Sequence, residues 1–342
     1  MGGAHPHPLL LPEEPLTMSN STPNFAGQNL GTGDTKALML ELFGGEVLTA
    51  FQTKVMFRDK HQVKTLANGK LFKFPAIWRT TVGYHTPGVE ILGSQIPHTE
   101  ITVSPDDKMV SSVFVSDIDE ILNHFDVRAP YAEELGAALA RVYDKSVQRT
   151  IIRAARGGAL FSGDTGGSIL TDAGFANDAS KLFDGISLAK ETMDSKDVDV
   201  IGQPVYASLG TALWYLMARS DRNLNRDRNG GSASDRSHTL TTIDDVQIMK
   251  SNNTPYGENT VTTPVDAASG LTIPSKYRIN ATNTKAIVWT PYAAATAEVQ
   301  GLSSQVVDQP EKQGTLMLAR LTTGSDPLRT KCAVELRSAA NA

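Results

Sequence analysis

An α+β fold is predicted for this chain of 342 residues by three features: one long amphipathic helix before the midpoint, a two-stranded excursion ahead of it, and a second half in which short strands and helices alternate. Each feature follows from a residue pattern that can be taken in chain order.

Residues 1–35 hold no Lys or Arg and are rich in Pro, Gly, Ser, Asn and Thr, the composition of an arm that orders only against a partner. Met18 offers an alternative start, which would make residues 1–17 an upstream extension. From Lys36, the residues Ala37, Leu38, Leu40, Leu42 and Phe43 predict a short helix, Gly44-Gly45 a break, and Val47, Leu48 and Phe51 a second apolar turn. Residues 52–97 read as the excursion: β-favouring Val55-Met56-Phe57, a turn at Ala67-Asn68-Gly69, and a strand over 71–78, with Asn-Gly as the best hairpin signal in the chain. The segment carries seven basic residues, Lys54, Arg58, Lys60, Lys64, Lys70, Lys73 and Arg79, against Asp59 and Glu90, a net +5. Residues 98–145 reverse the sign, with ten acids and four bases.

Ser116, with Asp119 three residues on, is placed to cap a short helix over 116–125. Pro130 then opens the longest periodic run, through Tyr131, Leu135, Leu139, Val142, Val147, Ile151 and Ala155 to Gly157-Gly158. That spacing gives a helix of roughly 26 residues and ~40 Å at 1.5 Å per residue. Glu133 and Glu134 near its start and Arg149, Arg153 and Arg156 near its end suit the helix dipole. Further on, helices are predicted over 178–193 and 211–218 and strands over 204–207, 243–249 and 285–289, with a strand pair over 314–321 and 330–337, joined by residues 322–327, closing the chain. The stretches 219–238 and 251–268 read as surface loops.

Composition narrows the function classes. With 40% hydrophobic and 20% charged residues, a collagen, a long coiled coil and a fully disordered chain are excluded. A single cysteine, Cys332, rules out an internal disulfide and a multi-cysteine metal site, and favours a reducing, cytoplasmic origin. No segment approaches the ~18 apolar residues of a membrane span. A net charge of −5 argues against a chain devoted to neutralising phosphates.

The candidate chemistry is thin. Gly163 to Ser168 lacks the lysine of a phosphate-binding loop, and Gly31 to Lys36 follows an arm rather than a strand. Asn225, Asp227, Asn229 and Gly230 fit the start of a calcium loop, but its twelfth position is Arg236 where a bidentate Glu is needed. The seven histidines, His5, His7, His61, His85, His98, His124 and His238, form no i, i+4 pair, so no metal site is assigned. Cys332 lies in an apolar strand-like run and reads as a small buried thiol. Phe57, Phe72, Phe74 and Trp78 among the basic residues suggest either a nucleic-acid stacking platform or, given the acidic segment that follows, pairing between like subunits. No catalytic residue and no cofactor is assigned.

Leu42-Phe43-Gly44-Gly45-Glu46-Val47-Leu48-Thr49-Ala50-Phe51 closely resembles the start of the major capsid protein of short-tailed, T-seven-like bacteriophages. His98-Thr99-Glu100, the run Asn123 to Tyr131 with Leu135-Gly136 and Leu139-Ala140, and the tail from Leu318 through Pro327-Leu328-Arg329 to Val334 resemble the same family in the same order. The resemblance implies the tailed-phage, HK-ninety-seven-type α+β fold: an N-terminal arm (1–50), an extended loop (51–97), a peripheral domain with a spine helix (98–160), an axial domain (161–291) and return strands of the peripheral domain (292–342). The loops 219–239 and 252–283 have no counterpart in it.

The function implied is structural and non-enzymatic: hexamers and pentamers of an icosahedral shell that encloses double-stranded DNA without specific binding, in the virion after assembly in the host cytoplasm. A portal protein is an implied partner, and the lack of a long helical segment ahead of Phe43 leads to the expectation of a separate scaffolding protein. Lys54, Arg58, Lys60, Lys64, Lys70 and Lys73 of the loop would face Asp117, Asp119, Glu120, Glu133 and Glu134 of a neighbour. The competing readings are a capsid-fold bacterial shell without a virus, a soluble α/β enzyme using the middle region, and a nucleic-acid module using the basic hairpin.

Overall fold

The first helix, α1 (Ala37–Lys54), runs through Gly44-Gly45 without the predicted break. A glycine costs a helix only about 1 kcal/mol relative to alanine, and burial of Val47, Ala50 and Phe51 downstream outweighs that. The computed structural model describes residues 37–66, 69, 71–116, 128–224, 240–266 and 269–340, so the predicted helix beyond Ser116 and the Asn68 turn lie outside it, while Ser116 itself ends a strand. The chain divides into two units, Met1–Leu42 and Phe43–Ala342, and the long helix and all the sheets belong to the second.

The long helix, α2, is Arg128–Ala155, 28 residues. Ala132, Leu135, Leu139, Tyr143, Val147, Ile151 and Ala154 recur at three- and four-residue steps along its buried stripe. The segment Val47–Phe51 lies close against it at Gly136, where a Cβ would stand 2.6 Å from the carbonyl oxygen of Val47 and 3.0 Å from Ala50 Cβ. Helices α3 (Ala179–Asp194) and α4 (Thr211–Ala218) fall where the sequence puts them, α3 capped by the Asp178 carboxylate on the amide of Ser180. The short α5 (Asp221–Leu224) opens the stretch expected to be a loop. Among the described residues no helix is long and apolar enough to cross a membrane.

Twelve strands are present, in chain order β1 (Gln62–Thr65), β2 (Phe72–Ile77), β3 (His98–Val103), β4 (Met109–Ser116), β5 (Ser168–Thr171), β6 (Val205–Gly210), β7 (Thr242–Ile243), β8 (Val246–Ser251), β9 (Thr284–Trp289), β10 (Ala294–Gln309), β11 (Gly314–Pro327) and β12 (Ala333–Arg337) among the described residues. They build a four-stranded sheet ordered β1-β10-β11-β4, a six-stranded sheet ordered β5-β12-β9-β6-β8-β7, and a ribbon of β2 and β3.

This topology corrects three expectations. The hairpin about Asn68-Gly69 does not form: β1 runs parallel to β10, and β2 pairs antiparallel with β3 instead. An Asn-Gly pair reports a local turn preference and says nothing about which strand offers the better partner. Val55-Met56-Phe57 is not a strand but the exit from α1. The closing strands do not pair with each other, since β11 lies in the four-stranded sheet and β12 in the six-stranded one. Strand β10, the longest, has no forecast at all, because Ala294-Ala295-Thr296-Ala297-Glu298 is poor in the β-branched and aromatic residues that mark strands.

The stretch 251–268, expected at the surface, is partly buried, with Thr260 and Asp266 almost fully enclosed. It lies against the C-terminal half of α2, which is polar where a core helix is normally apolar. Lys145 pairs with Asp266 at 2.8 Å and Glu258 at 2.9 Å, Arg149 pairs with Glu258 at 2.8 Å, and Gln148 donates to the carbonyl of Asn253 at 2.8 Å. Past the end of α2, Arg156 grips the buried Glu335 of β12 with both Nε and Nη2, and Arg337 and Thr284 donate to the same carboxylate.

Burial opposes ionisation of Glu335, but hydrogen bonds from Arg156 and Arg337 outweigh it and hold its carboxyl below the usual range. Glu335→Ala strands two arginines and is expected to cost about 3–5 kcal/mol, measured by urea unfolding of the unassembled chain. Asp144 of α2 is the opposite case. It accepts the amides of Met56 at 3.1 Å and Phe57 at 3.2 Å, has no ion pair to a described residue, and is pushed up to about 7 by burial. Since the unfolded carboxyl titrates near ~4, the folded chain keeps a proton that the unfolded chain has lost, and stability falls as pH rises from ~4 to ~7. Asp144→Asn is expected to remove that slope and to be more stable than the parent at about pH 8, with the difference vanishing near pH 4.

Candidate functional site

Among the described residues, the segment carried by the ribbon is the longest exposed run. The ribbon's register runs from Phe72 opposite Val103 to Ile77 opposite His98, and the amide of Trp78 donates to the carbonyl of Pro97 at 3.0 Å to close its neck. Beyond the neck the segment leaves the body: Val82, Tyr84, Ile91 and Leu92 are 94%, 107%, 78% and 79% exposed. A tight turn at its far end, the amide of Val89 on the carbonyl of Thr86, places Gly88 at φ +93°, a conformation that side chains rarely adopt.

The root, by contrast, is fixed. Phe72, Phe74, Ile101 and Leu66 pack on Val103, Ala295, Ala297 and Leu328. At the elbow between β3 and β4, Asp106 pairs with Lys276 at 2.8 Å and accepts from Tyr277, while Asp326 accepts the amide of Ser104 at 3.2 Å. Gly324 lies so close beneath that any Cβ would strike the Ser104 carbonyl. At the neck, Trp78 stacks on Phe161 with centroids 5.3 Å apart, and Arg79 reaches Asp197 at 2.7 Å. An aromatic pair is worth ~0.5–1.5 kcal/mol and an exposed ion pair ~0–1.

A second surface lies on the outer face of the four-stranded sheet. Register places Phe114 beside Leu316 and Val307, and Ser112 beside Leu318 and Gln305, with Val110 and Phe114 exposed. The opposite face, with Val115, Met317 and Ala319, is buried toward α2. Strand β4 also forms one edge of that sheet.

The structure distributes the predicted charged residues unevenly. Lys54 lies 3.5 Å from Glu133 of its own chain, and Glu134 pairs with Arg141. Arg58 pairs with Glu298 at 2.9 Å, Lys60 sits 4.9 Å above the ring of Tyr206, and Lys73 pairs across the ribbon with Glu100. Lys64 is exposed on β1. Lys70, Asp117, Asp119 and Glu120 lie outside the described residues, as do Asn225, Asp227, Asn229 and Gly230. The sequence reading missed the apolar strip from Val82 to Leu92; the available signal was large apolar residues in a segment with neither period.

The remaining candidates have structural partners. Lys196 donates to the carbonyls of Gly166 at 2.7 Å and Gly167 at 3.2 Å, so the glycine loop presents oxygens to a cation, the reverse of a phosphate cradle. His61 is buried between the Phe57 carbonyl and the Thr296 hydroxyl, each at 2.7 Å, and burial lowers it to about 4. Cys332 is buried, which pushes its thiol up. Among the described residues no group of three or more His, Cys, Asp or Glu side chains could hold a metal ion.

A clamped ribbon with a free apolar tip, a long helix bridging two sheets, and an open sheet face together define the subunit class of tailed-phage shells. Solved structures agree. The capsid of cyanophage P-SCSP1u is 31% identical, with a TM-score of 0.72 over 95% of this chain and 100% of that one. The mature capsid of bacteriophage PhiM1, 15% identical, shares the fold with a TM-score of 0.69 over 83% of this chain and 86% of that one. The chain belongs to the Gp10A-like major capsid protein family, whose model matches residues 73–337. It is also 37% identical over 132 residues to the major capsid protein of Escherichia phage T7, a match spanning 35% of this chain and 38% of that protein.

Proposed function

We propose that this chain assembles into hexamers and pentamers of an icosahedral shell around double-stranded DNA, as part of a virion formed in the host cytoplasm. The observation that carries the reading is the exposed strip of Val82, Tyr84, Ile91 and Leu92, which one chain leaves uncovered on a root fastened at several points. The same chain offers an apolar sheet face at Val110, Phe114, Leu316 and Leu318. A strip on one copy meeting a face on the next is a heterologous contact, which makes a ring when its rotation closes.

In this reading residues 1–50 are the arm, 51–97 the extended loop, 98–160 the peripheral domain with its spine helix, 161–291 the axial domain and 292–342 the return strands of the peripheral domain, of which β12 instead joins the six-stranded sheet beside β5 and β9. Because Lys54, Arg58, Lys60, Lys73, Glu133 and Glu134 have partners within the subunit, charge pairing between subunits falls to Lys64 and Lys70 facing Asp117, Asp119 and Glu120 of a neighbour. A separate scaffolding protein and a portal at one vertex complete the set of partners, and a net charge of −5 suits a wall that holds DNA loosely. The reading requires no catalytic chemistry.

Expression with a candidate scaffolding protein, viewed by negative-stain electron microscopy, is expected to show closed shells or ring-shaped capsomers; a homogeneous monomer under all conditions would overturn the reading. Ile91→Asp combined with Leu92→Asp is expected to abolish closed shells while moving the unfolding free energy of the unassembled chain by no more than ~0.5 kcal/mol, since both sites are solvent-facing. Charge reversal of Lys64 and Lys70 to Glu should slow or misdirect assembly, most visibly at low salt. Unchanged yields of closed shells would remove these residues from the interface.

A further inference from the structure

Three separate connections of the body converge on Trp78 and Arg79 at the neck of the extended loop, two on the indole and one on the guanidinium. Phe161, just beyond α2, stacks on Trp78 with the rings 21° apart. Lys331, between β11 and β12, places its ammonium 5.5 Å from the centre of the same ring, and Arg79 places its guanidinium 5.6 Å from it. Arg79 is held in turn by Asp197, beyond α3, at 2.7 Å. Asp197 adopts a left-handed backbone, φ +55°, uncommon for a residue other than glycine, and the preceding Lys196 pins that turn to the Gly166 and Gly167 carbonyls. The carboxylate is therefore presented from a fixed turn, and the guanidinium beside it holds it below the usual carboxylate range.

Two further features separate this arrangement from ordinary packing. An open pocket of about 230 Å³, lined by Ile77, Trp78, Leu160, Phe161 and Arg329 among others, lies beside the indole at the junction. Past Arg79 the segment is exposed as far as Pro97, so the contacts at Trp78 and Arg79 are the last that direct it.

We propose that Trp78 and Arg79 form a latch that fixes the direction in which residues 80–96 leave the unassembled subunit. The stacked rings set the plane of the neck, and the Arg79–Asp197 pair sets its rotation. Both are solvent-reachable and weak compared with the clamped elbow, so a neighbouring subunit can release them without disturbing the root. Release by a neighbouring subunit rests on the function proposed above; the latch itself does not.

The test is a distance measurement on the soluble chain, with spin labels on cysteines placed at Gly83 and Ile201; burial of the native Cys332 keeps it from being labelled. The parent is expected to give one narrow distance peak. Trp78→Ala, Arg79→Asp and Asp197→Arg should each lose that peak to a broad distribution, while Trp78→Phe, which keeps a stacking ring, and the Arg79→Asp/Asp197→Arg double variant, which restores the pair reversed, should recover it. A broad distribution in the parent, or narrow ones in the Trp78→Ala and Arg79→Asp chains with unchanged thermal unfolding, would overturn the latch. Failure of the double variant to recover the peak, in a chain that still folds, would exclude the ion pair from it. Shell formation is scored separately, so a parent that forms no shells would count against the proposed function and leave the distance result standing.

Discussion

The buried charges of the long helix are the constraint on which the rest of the fold depends. An ammonium or guanidinium removed from water must find a carboxylate or be expelled. Lys145, Arg149 and Arg156 lie on the half of α2 that the core surrounds or just past its end, and each finds its partner on a late segment: Asp266 and Glu258 in the stretch after β8, Glu335 on the last strand. Those pairings bring a long polar connection down onto a helix that an apolar face alone would not have attracted. They also make one helix common to both sheets, since its apolar stripe lies toward β4 and β11 while its polar end binds β12.

The extended loop divides labour along its length. Its root uses what holds any core together, aromatic and aliphatic side chains on alanines that let strands approach closely, and its elbow adds the ions about Lys276, Asp106 and Asp326. Its tip carries apolar surface and almost no internal contacts. A strong root with an unsatisfied tip suits repeated association: each contact is individually weak and correctable, and many copies multiply it. The charged residues that give the segment its net +5 belong mainly to the root, where they brace one chain against itself.

Regular elements with a clear period were legible in the sequence. The seven-residue apolar series from Tyr131 to Ala155 gave α2 nearly to its ends, and α3, α4, β6 and β9 followed from the same kind of signal. Four residues named for the candidate interface fall outside the described structure, and most of the others proved to be paired within the chain, because a count of charges along a segment carries no information about partners more than two hundred positions away, such as Glu298 for Arg58. Strand β10 was hidden by its alanines, which are chosen for close approach to β1 and β11 and against strand propensity. The 251–268 stretch was misread because Asn, Thr and Gly normally mark solvent, whereas here Thr260 and Asp266 are buried in hydrogen bonds and ion pairs. The apolar tip needed the structure, which alone distinguishes an exposed isoleucine from a core one.

The parallel pairing of β1 with β10 has a consequence for the order in which the chain folds. Gln62 lies opposite Ala295, His61 bonds to Thr296, Ser104 to Asp326, and Trp78 rests under Lys331. Each of these fastenings joins a residue of the loop to one more than two hundred positions later in the chain. Such high-contact-order closures come late in folding, and domains emerge from the N-terminus first. The exposed tip is therefore rooted only after strands β10 and β11 have formed.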